Sequence, residues 1–195
     1  MTNDNYTGVT TGTVATACSL AALDAILDTP DIACVKVETP KKYLDILIDE
    51  CKLISSSKSY AVAHKNPYND PDVTVNLDIV STVELFDKND EKCNVLITGG
   101  EGVGIITKPG LQIPIGDYAI SPVPRRMIIK NLSSKVPEGK IAKVTISIPE
   151  GKKIAKKTMN PKLGIIDGIS VLGTTGIARS MSSDAYKNSI VKQID

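Results

Sequence analysis

The clearest pattern of apolar and polar positions lies near the start of the chain, between Gly12 and Asp28. Alanine and leucine dominate this stretch, threonines precede it, and Thr29-Pro30 follows it. Because threonine caps the start of a helix and proline cannot continue one, the pattern predicts one complete α-helix.

Runs rich in β-branched residues come next, and turn residues bound each of them. The last of these runs carries apolar residues at mostly every second position, as a half-buried strand does. The predicted strands are Cys34–Thr39, Tyr43–Ile54, Ser59–His64, Val73–Phe86 and a short one at Cys93–Ile97.

The second half of the chain begins with extended segments on either side of a glycine-rich run, residues 99–104. Ser121-Pro122 opens a second helix, whose apolar stripe runs to Val136 before Pro137 ends it. Residues 140–148 and 152–158 alternate around Pro149-Glu150-Gly151, a pattern that predicts a hairpin.

A last helix is predicted from about residue 183 to residue 194. Strands outnumber helices, and short turns join most of them. The pattern therefore predicts an α+β fold, with a mixed or antiparallel sheet packed with about three helices, rather than a doubly wound parallel sheet.

Composition narrows the function classes. Among 195 residues, 42% are apolar, 23% are charged and the net charge is +1, which argues against disorder and against a general polyanion-binding surface. Without tryptophan and with one phenylalanine, the chain has few platforms for stacking bases, so we expect no nucleic-acid partner. No apolar run reaches the ~18 residues of a membrane span, so we expect a cytoplasmic, soluble protein.

The residues that commonly hold metals are sparse. The four cysteines have no paired spacing, and His64 is the single histidine, so we expect neither a metal site nor a disulfide framework. No nucleophile lies beside His64 in the sequence, and a catalytic triad is therefore not indicated.

The glycine run after the strand at Cys93–Ile97 leaves two interpretations open. Pro109-Gly110 follows too closely for a helix to start there, which argues against a Rossmann loop and predicts that 99–104 joins two extended segments. A binding loop of another type and a purely structural turn remain. The candidate loop residues are Gly99, Gly100, Glu101, Gly102 and Gly104, together with Asp70 and Asp72 of the turn Asp70-Pro71-Asp72.

Several strings could bind carboxylates. The start of the first helix offers unpaired N–H groups and the positive end of the helix dipole, although its threonines could equally serve as caps. A second Thr-Thr-Gly string precedes Arg179, and an adjacent arginine pair begins the second helix. The substrate-binding candidates are Thr10, Thr11, Gly12, Thr13, Arg125, Arg126, Thr174, Thr175 and Arg179. If they form one site together with the glycine run, all four segments should converge in space.

Taken together, six strings in order and spacing resemble the cobalt-precorrin-5B C1-methyltransferase family (CbiD). These strings are Gly8-Val9-Thr10-Thr11-Gly12-Thr13, Asp70-Pro71-Asp72-Val73-Thr74, Ile97-Thr98-Gly99-Gly100-Glu101-Gly102-Val103-Gly104, Lys108-Pro109-Gly110-Leu111, Pro122-Val123-Pro124-Arg125-Arg126-Met127, and Asn160-Pro161 through Gly176.

The resemblance implies methyl transfer from S-adenosylmethionine to C1 of cobalt-precorrin-5B, giving cobalt-precorrin-6A in anaerobic cobalamin biosynthesis. Such a transfer depends on positioning and charge complementarity more than on a protein nucleophile, and no catalytic residue is assigned. The cobalt-containing tetrapyrrole carries acetate and propionate arms, which suit the candidate residues.

The resemblance also has departures. The family's acidic run before Asp-Pro-Asp is replaced by Asn66-Pro67-Tyr68-Asn69, and Ser180 stands where a proline is usual. Members of the family carry a second, C-terminal α/β domain, so the resemblance implies that residues 1–195 are a single N-terminal α+β domain without it. The alternative function is a corrinoid or polycarboxylate binding module without catalysis, and association with further copies of the chain stays open.

Overall fold

The computed structural model describes residues 7–27, 31–65, 73–88 and 93–179. In chain order the elements are β1 (Thr7–Val9), α1 (Thr11–Ile26), β2 (Cys34–Glu38), β3 (Tyr43–Leu47), β4 (Glu50–Ser55), β5 (Lys58–His64), β6 (Asp78–Asp87), β7 (Val95–Gly99), β8 (Ile105–Ile106), α2 (Pro122–Leu132), β9 (Lys140–Ser147), α3 (Gly151–Ala155), β10 (Ile165–Ile166) and β11 (Ile177–Arg179).

The main sheet has five strands in the order β4-β5-β6-β9-β7. The first four pair antiparallel, and β7 pairs parallel with β9. The described residues also form three two-stranded ribbons: β2 with β3, β1 with β11, and β8 with β10. The described residues thus form the α+β fold with a mixed sheet that the sequence predicts, and they include three helices.

Helix α1 is the centre of the core. Residues 11–23 are all buried, and most are alanine, serine, threonine or other small residues that allow neighbours to approach closely. The Ser19 hydroxyl donates a hydrogen bond to the Ser81 hydroxyl at 3.1 Å, which attaches the helix to β6. The Cys18 thiol donates to the Ile79 carbonyl at 3.2 Å. The helix predicted between Gly12 and Asp28 is confirmed.

Helix α2 packs beside α1, and its Lys130 and Asn131 side chains both bind Glu38 of β2. Asn131 accepts the Glu38 N–H at 2.9 Å and donates to the Glu38 carbonyl at 3.0 Å, in the manner of a paired strand. The apolar stripe predicted for this helix is buried through Met127, Ile128 and Leu132.

Two strand predictions need their boundaries corrected. The run Tyr43–Ile54 divides into β3 and β4, which belong to different sheets. The run Val73–Phe86 becomes a strand only at Asp78, because the residues before it form a turn in which Asn76 has a φ of 62°. Asn76 donates to the Lys65 carbonyl at 2.9 Å, which closes this end of the β5 and β6 pairing.

The hairpin predicted around Pro149-Glu150-Gly151 is wrong. Residues 151–155 form α3, and the Ile154 N–H donates to the Glu150 carbonyl at 3.0 Å. Strand β9 already pairs with β6 on one edge and β7 on the other, so neither edge can accept residues 152–158 as a strand.

The helix predicted from 183 to 194 lies outside the described residues. Within the described part of the chain, no helix combines the length and apolar character needed to cross a membrane.

Candidate functional site

The start of α1 and the loop before β11 are bound together by buried threonines. The Thr13 hydroxyl donates to the Gly176 carbonyl at 2.7 Å, and the Thr11 hydroxyl donates to the Leu172 carbonyl at 3.2 Å. The Leu172 N–H in turn donates to the Thr11 hydroxyl at 3.0 Å. Segments about 160 residues apart in sequence, with separations of 161 and 163, therefore meet at one helix end.

The backbone N–H groups of Thr10, Gly12 and Thr13 at the same helix end have acceptors within the protein. Thr10 is the N-cap, and its hydroxyl accepts the Thr13 N–H at 3.2 Å. The Gly12 N–H donates to the Leu172 carbonyl at 3.0 Å. Because Thr10, Thr11 and Thr13 are all buried, these contacts favour a positioning role for them. That they bind a substrate carboxylate stays a prediction.

The start of α2 lies against the start of α1, and it presents two adjacent arginines in different environments. Arg125 is half-buried; its Nε donates to the Ile120 carbonyl at 3.0 Å and its Nη1 to the Ile97 carbonyl at 3.2 Å. Arg126 is exposed, and none of the described residues forms an ion pair with it. Of the pair, Arg126 is the one whose guanidinium faces solvent.

The second Thr-Thr-Gly string lies at the outer side of this junction. Thr174 is exposed, whereas the Thr175 hydroxyl donates to the Ile177 carbonyl at 3.0 Å. Arg179 pairs with Thr7 through the backbone of β11, and its side chain is outside the description. The structure thus brings the two Thr-Thr-Gly strings and the start of α2 together, while Asp70 and Asp72 lie outside the described residues.

The glycine run 99–104 joins β7 to β8 without a helix, as the sequence predicts. Gly102 has a φ of 70°, and a Cβ there would collide with the Ile148 carbonyl. The backbones of Gly151 and Gly168 approach the Gly102 carbonyl so closely that neither position has room for a side chain. These contacts are those of a structural turn in which three backbone segments meet.

The glycine run does not fit the role of a cradle for S-adenosylmethionine. A Cβ on Gly99 would overlap the ring of Tyr118, one on Gly100 would overlap the Ser147 hydroxyl, and one on Gly104 would overlap Ile165. The faces on which the glycines lack a side chain are therefore filled by the protein itself. Glu101 is the exposed member of the run.

The thiols of Cys18, within α1, and Cys51, beside it, have little reactivity because both are at least partly shielded from solvent. Burial raises the pKa of the Cys18 thiol far above its ordinary value, and burial also raises the pKa of Cys51. Both thiols therefore stay protonated at neutral pH, and neither is an activated nucleophile.

Sequence reasoning missed the partner of His64. The ring Nδ1 lies 2.7 Å from Asp49 Oδ2, and the same carboxylate oxygen accepts the His64 N–H at 2.9 Å. Both residues line a cavity of about 450 Å³ between β3 and the β1–β11 ribbon. The sequence feature that could have revealed this pair is the turn at residues 56–57. A hairpin centred on that turn places Asp49 opposite the end of β5, where His64 lies.

Comparisons with known proteins agree on one family. Over 195 residues the chain is 78% identical to a cobalt-precorrin-5B C(1)-methyltransferase of Methanobrevibacter smithii, covering 100% of this chain and 54% of that protein. A protein of the same name from Methanosphaera stadtmanae is 54% identical over 189 residues, covering 96% of this chain and 48% of that protein. The chain thus spans about half the length of the curated relatives it matches.

Among solved structures, the chain is similar to the cobalamin biosynthesis protein (cbiD) of Archaeoglobus fulgidus. The TM-score is 0.64 at 28% identity, covering 95% of this chain and 58% of the other. Residues 1–180 match the CbiD family. A match over nearly the whole chain, supported by the fold and by ordered strings at the helix starts, shows that this chain belongs to the CbiD family.

Proposed function

We propose that this chain is the tetrapyrrole-binding part of a cobalt-precorrin-5B C1-methyltransferase, and that the whole enzyme methylates C1 to give cobalt-precorrin-6A. The observation that carries the proposal is the 78% identity to the Methanobrevibacter smithii protein of that name, in an alignment that covers all 195 residues of this chain. In this proposal residues 1–195 are one α+β domain, and a further domain completes the enzyme.

The junction of α1, α2 and the loop before β11 supports a role in substrate binding. Arg126 and Thr174 are exposed beside it, and a guanidinium can hold a carboxylate through paired hydrogen bonds. Arg125 keeps part of its guanidinium free after its two bonds to carbonyls. We assign the substrate's acetate or propionate arms to Arg126, Arg125 and Thr174, with the buried threonines holding the junction together.

Methyl transfer to a ring carbon forms one C–C bond, breaks the donor's bond to methyl and releases one proton from the ring. S-adenosylmethionine is the donor in this proposal. The glycine run does not fit it, so we assign donor binding mainly to the part of the enzyme that the relatives have in addition to this length. Accordingly, we expect this chain to bind S-adenosylmethionine weakly or not at all.

The second candidate is a corrinoid or polycarboxylate binding module without catalysis. The observation that favours it is the glycine run, whose open faces are filled by the protein itself and therefore offer no place for a methyl donor. The two candidates differ in chemistry rather than in ligand, because both need the same carboxylate-binding residues.

The experiment is an anaerobic assay with cobalt-precorrin-5B and S-adenosylmethionine, followed by mass spectrometry for the gain of one methyl group. The chain is assayed alone and together with the second half of the Methanobrevibacter smithii relative. Methylation that requires both parts supports the proposal; substrate binding without methylation in either mixture supports the binding module. Calorimetric titration of the chain alone with S-adenosylmethionine checks the donor assignment, and micromolar or tighter affinity would contradict it.

A further inference from the structure

Two strings that the proposed site does not use meet on another surface. These are residues 107–111, after β8, and residues 156–164, after α3. The Thr107 N–H and the Thr107 hydroxyl both donate to the Gly164 carbonyl at 2.7 Å, and the stem of the Lys108 side chain packs on Gly164. Gly164 has a φ of 76°, so the close approach of Lys108 depends on glycine at a left-handed position.

The surface formed there, here called the lysine patch, combines unpaired cations with exposed apolar side chains. Lys152 and Lys153 next to it are neutralised by Asp167 and Glu150. The patch itself has exposed lysines for which no described residue supplies a carboxylate, beside apolar side chains that are 36%, 59% and 48% exposed. Its lysines are Lys108, Lys156, Lys157 and Lys162, and the three exposed fractions belong to Leu111, Met159 and Leu163 in that order.

The patch is held in shape by its own backbone. The Leu163 N–H donates to the Met159 carbonyl at 3.1 Å, and the Gly164 N–H donates to the Pro161 carbonyl at 3.2 Å. The lysine stems and the apolar side chains therefore stand on an ordered turn. Exposed apolar side chains rimmed by charge are typical of a binding surface.

We propose that the lysine patch binds one edge of a polycarboxylate tetrapyrrole, with the lysines at the carboxylate arms and Leu111, Met159 and Leu163 against the apolar ring edge. The proposal rests on the proposed function and deepens it, because it adds a second contact region for the substrate. Charge complementarity selects this occupant: the patch carries four cations, and a tetrapyrrole with acetate and propionate arms presents several carboxylates around an apolar plane. The segment that ends the patch continues through β10 to Leu172 and thus links it to the junction of α1 and α2.

The test is a titration of this chain with uroporphyrin, a tetrapyrrole with acetate and propionate arms, followed by the porphyrin absorbance band. The double variant Lys108→Ala with Lys162→Ala should bind about three- to ten-fold more weakly than the parent, and added salt should reduce the difference. The matched control is Lys36→Ala with Lys143→Ala, two exposed lysines on β2 and β9, which should bind as the parent does. Leu163→Asp, which adds a negative charge within the patch, should weaken binding as well.

Circular dichroism melting of every variant shows whether it is folded. If the parent binds uroporphyrin and the patch variants bind it equally well, the patch assignment is overturned and the proposed function stands. If neither the parent nor any variant binds uroporphyrin or cobalt-precorrin-5B, both proposals fall together. The same variants are also tested for binding to vesicles that contain phosphatidylglycerol. If the patch variants lose vesicle binding but bind uroporphyrin as the parent does, the patch binds an anionic lipid surface and the tetrapyrrole assignment is overturned.

Discussion

Gly12 in the first turn of α1 faces Pro124 in the first turn of α2 so closely that a Cβ on Gly12 would lie 2.6 Å from Pro124 Cγ. The Leu172 carbonyl oxygen would lie 3.2 Å from that added Cβ. This contact places both helix starts and the loop before β11 at one junction. A side chain at position 12 would therefore push apart the three segments to which we assign the substrate.

We expect Gly12→Ala to lower the free energy of unfolding by about 1–2 kcal/mol. Overpacking typically costs about 1–3 kcal/mol, and the better helix propensity of alanine returns up to about 1 kcal/mol. Urea unfolding measures the change. Pro124→Ala combined with Gly12→Ala removes the 2.6 Å contact with Cγ and keeps the 3.0 Å contact with Cβ. This double variant should therefore recover part of the stability relative to the sum of the single variants; additive losses would contradict the explanation.

Thr13→Val should lower the free energy of unfolding by about 1–3 kcal/mol, because it removes the hydroxyl that donates to the Gly176 carbonyl in a fully buried position. Valine has nearly the same shape, so the change isolates the hydrogen bonds of this hydroxyl, which also lies 3.0 Å from the Thr10 hydroxyl. Thr174→Val is the control, because Thr174 is exposed, and it should alter stability by less than about 0.5 kcal/mol. Equal effects at the two positions would show that the buried threonine does not hold the junction.

The two adjacent arginines should differ in how much they contribute to stability. Arg125→Ala removes two bonds to carbonyls and should lower the free energy of unfolding by about 1–3 kcal/mol. Arg126→Ala should leave unfolding nearly unchanged and weaken binding of the tetrapyrrole by roughly 1.5–3 kcal/mol, because a charge-assisted bond is lost. Thermal melts and substrate titrations of both variants provide the comparison, and parent-like substrate affinity in Arg126→Ala would remove this residue from the site.

The buried Cys18 thiol should make the protein less stable at alkaline pH. Its pKa is raised in the folded state by burial, so the folded chain keeps a proton that the unfolded chain releases. Stability from this group is complete below the unfolded pKa of about 8.5 and falls above it by about 1.4 kcal/mol per pH unit.

Urea unfolding of the parent and of Cys18→Ala at about pH 8 and at about pH 9.5 measures this dependence. The parent should lose about 1–1.5 kcal/mol more than the variant across that interval. Thiol labelling of the native protein at neutral pH should modify the exposed Cys34 and Cys93 while leaving Cys18 unmodified. Identical pH dependence in the two proteins would contradict the assignment.

Local chemistry in the sequence was sufficient for the elements that depend on neighbouring residues. The alanine-rich run after Thr10 specified α1, because capping and helix period act within a few residues. Pro109-Gly110 excluded a helix after the glycine run for the same reason, and the structure agrees. The six strings, taken in order and spacing, were enough to indicate the family.

The pattern of apolar and polar residues could not predict contacts between segments that are far apart in the sequence. The alternation in residues 152–158 suits a strand, but both edges of β9 were already taken, and that is a property of the assembled sheet. Arg125 and Arg126 are the same residue type in adjacent positions, yet the carbonyls of Ile97 and Ile120 bind only the first. Likewise, the hydroxyl of Thr13 could have faced a ligand until Gly176, 163 residues away, came to accept its hydrogen bond. The sequence by itself therefore determined locally specified elements such as α1 and indicated the family. Only the tertiary structure decided the place of residues 151–155 and which polar groups remain available to a substrate, because partners separated by so many residues meet only when the chain packs.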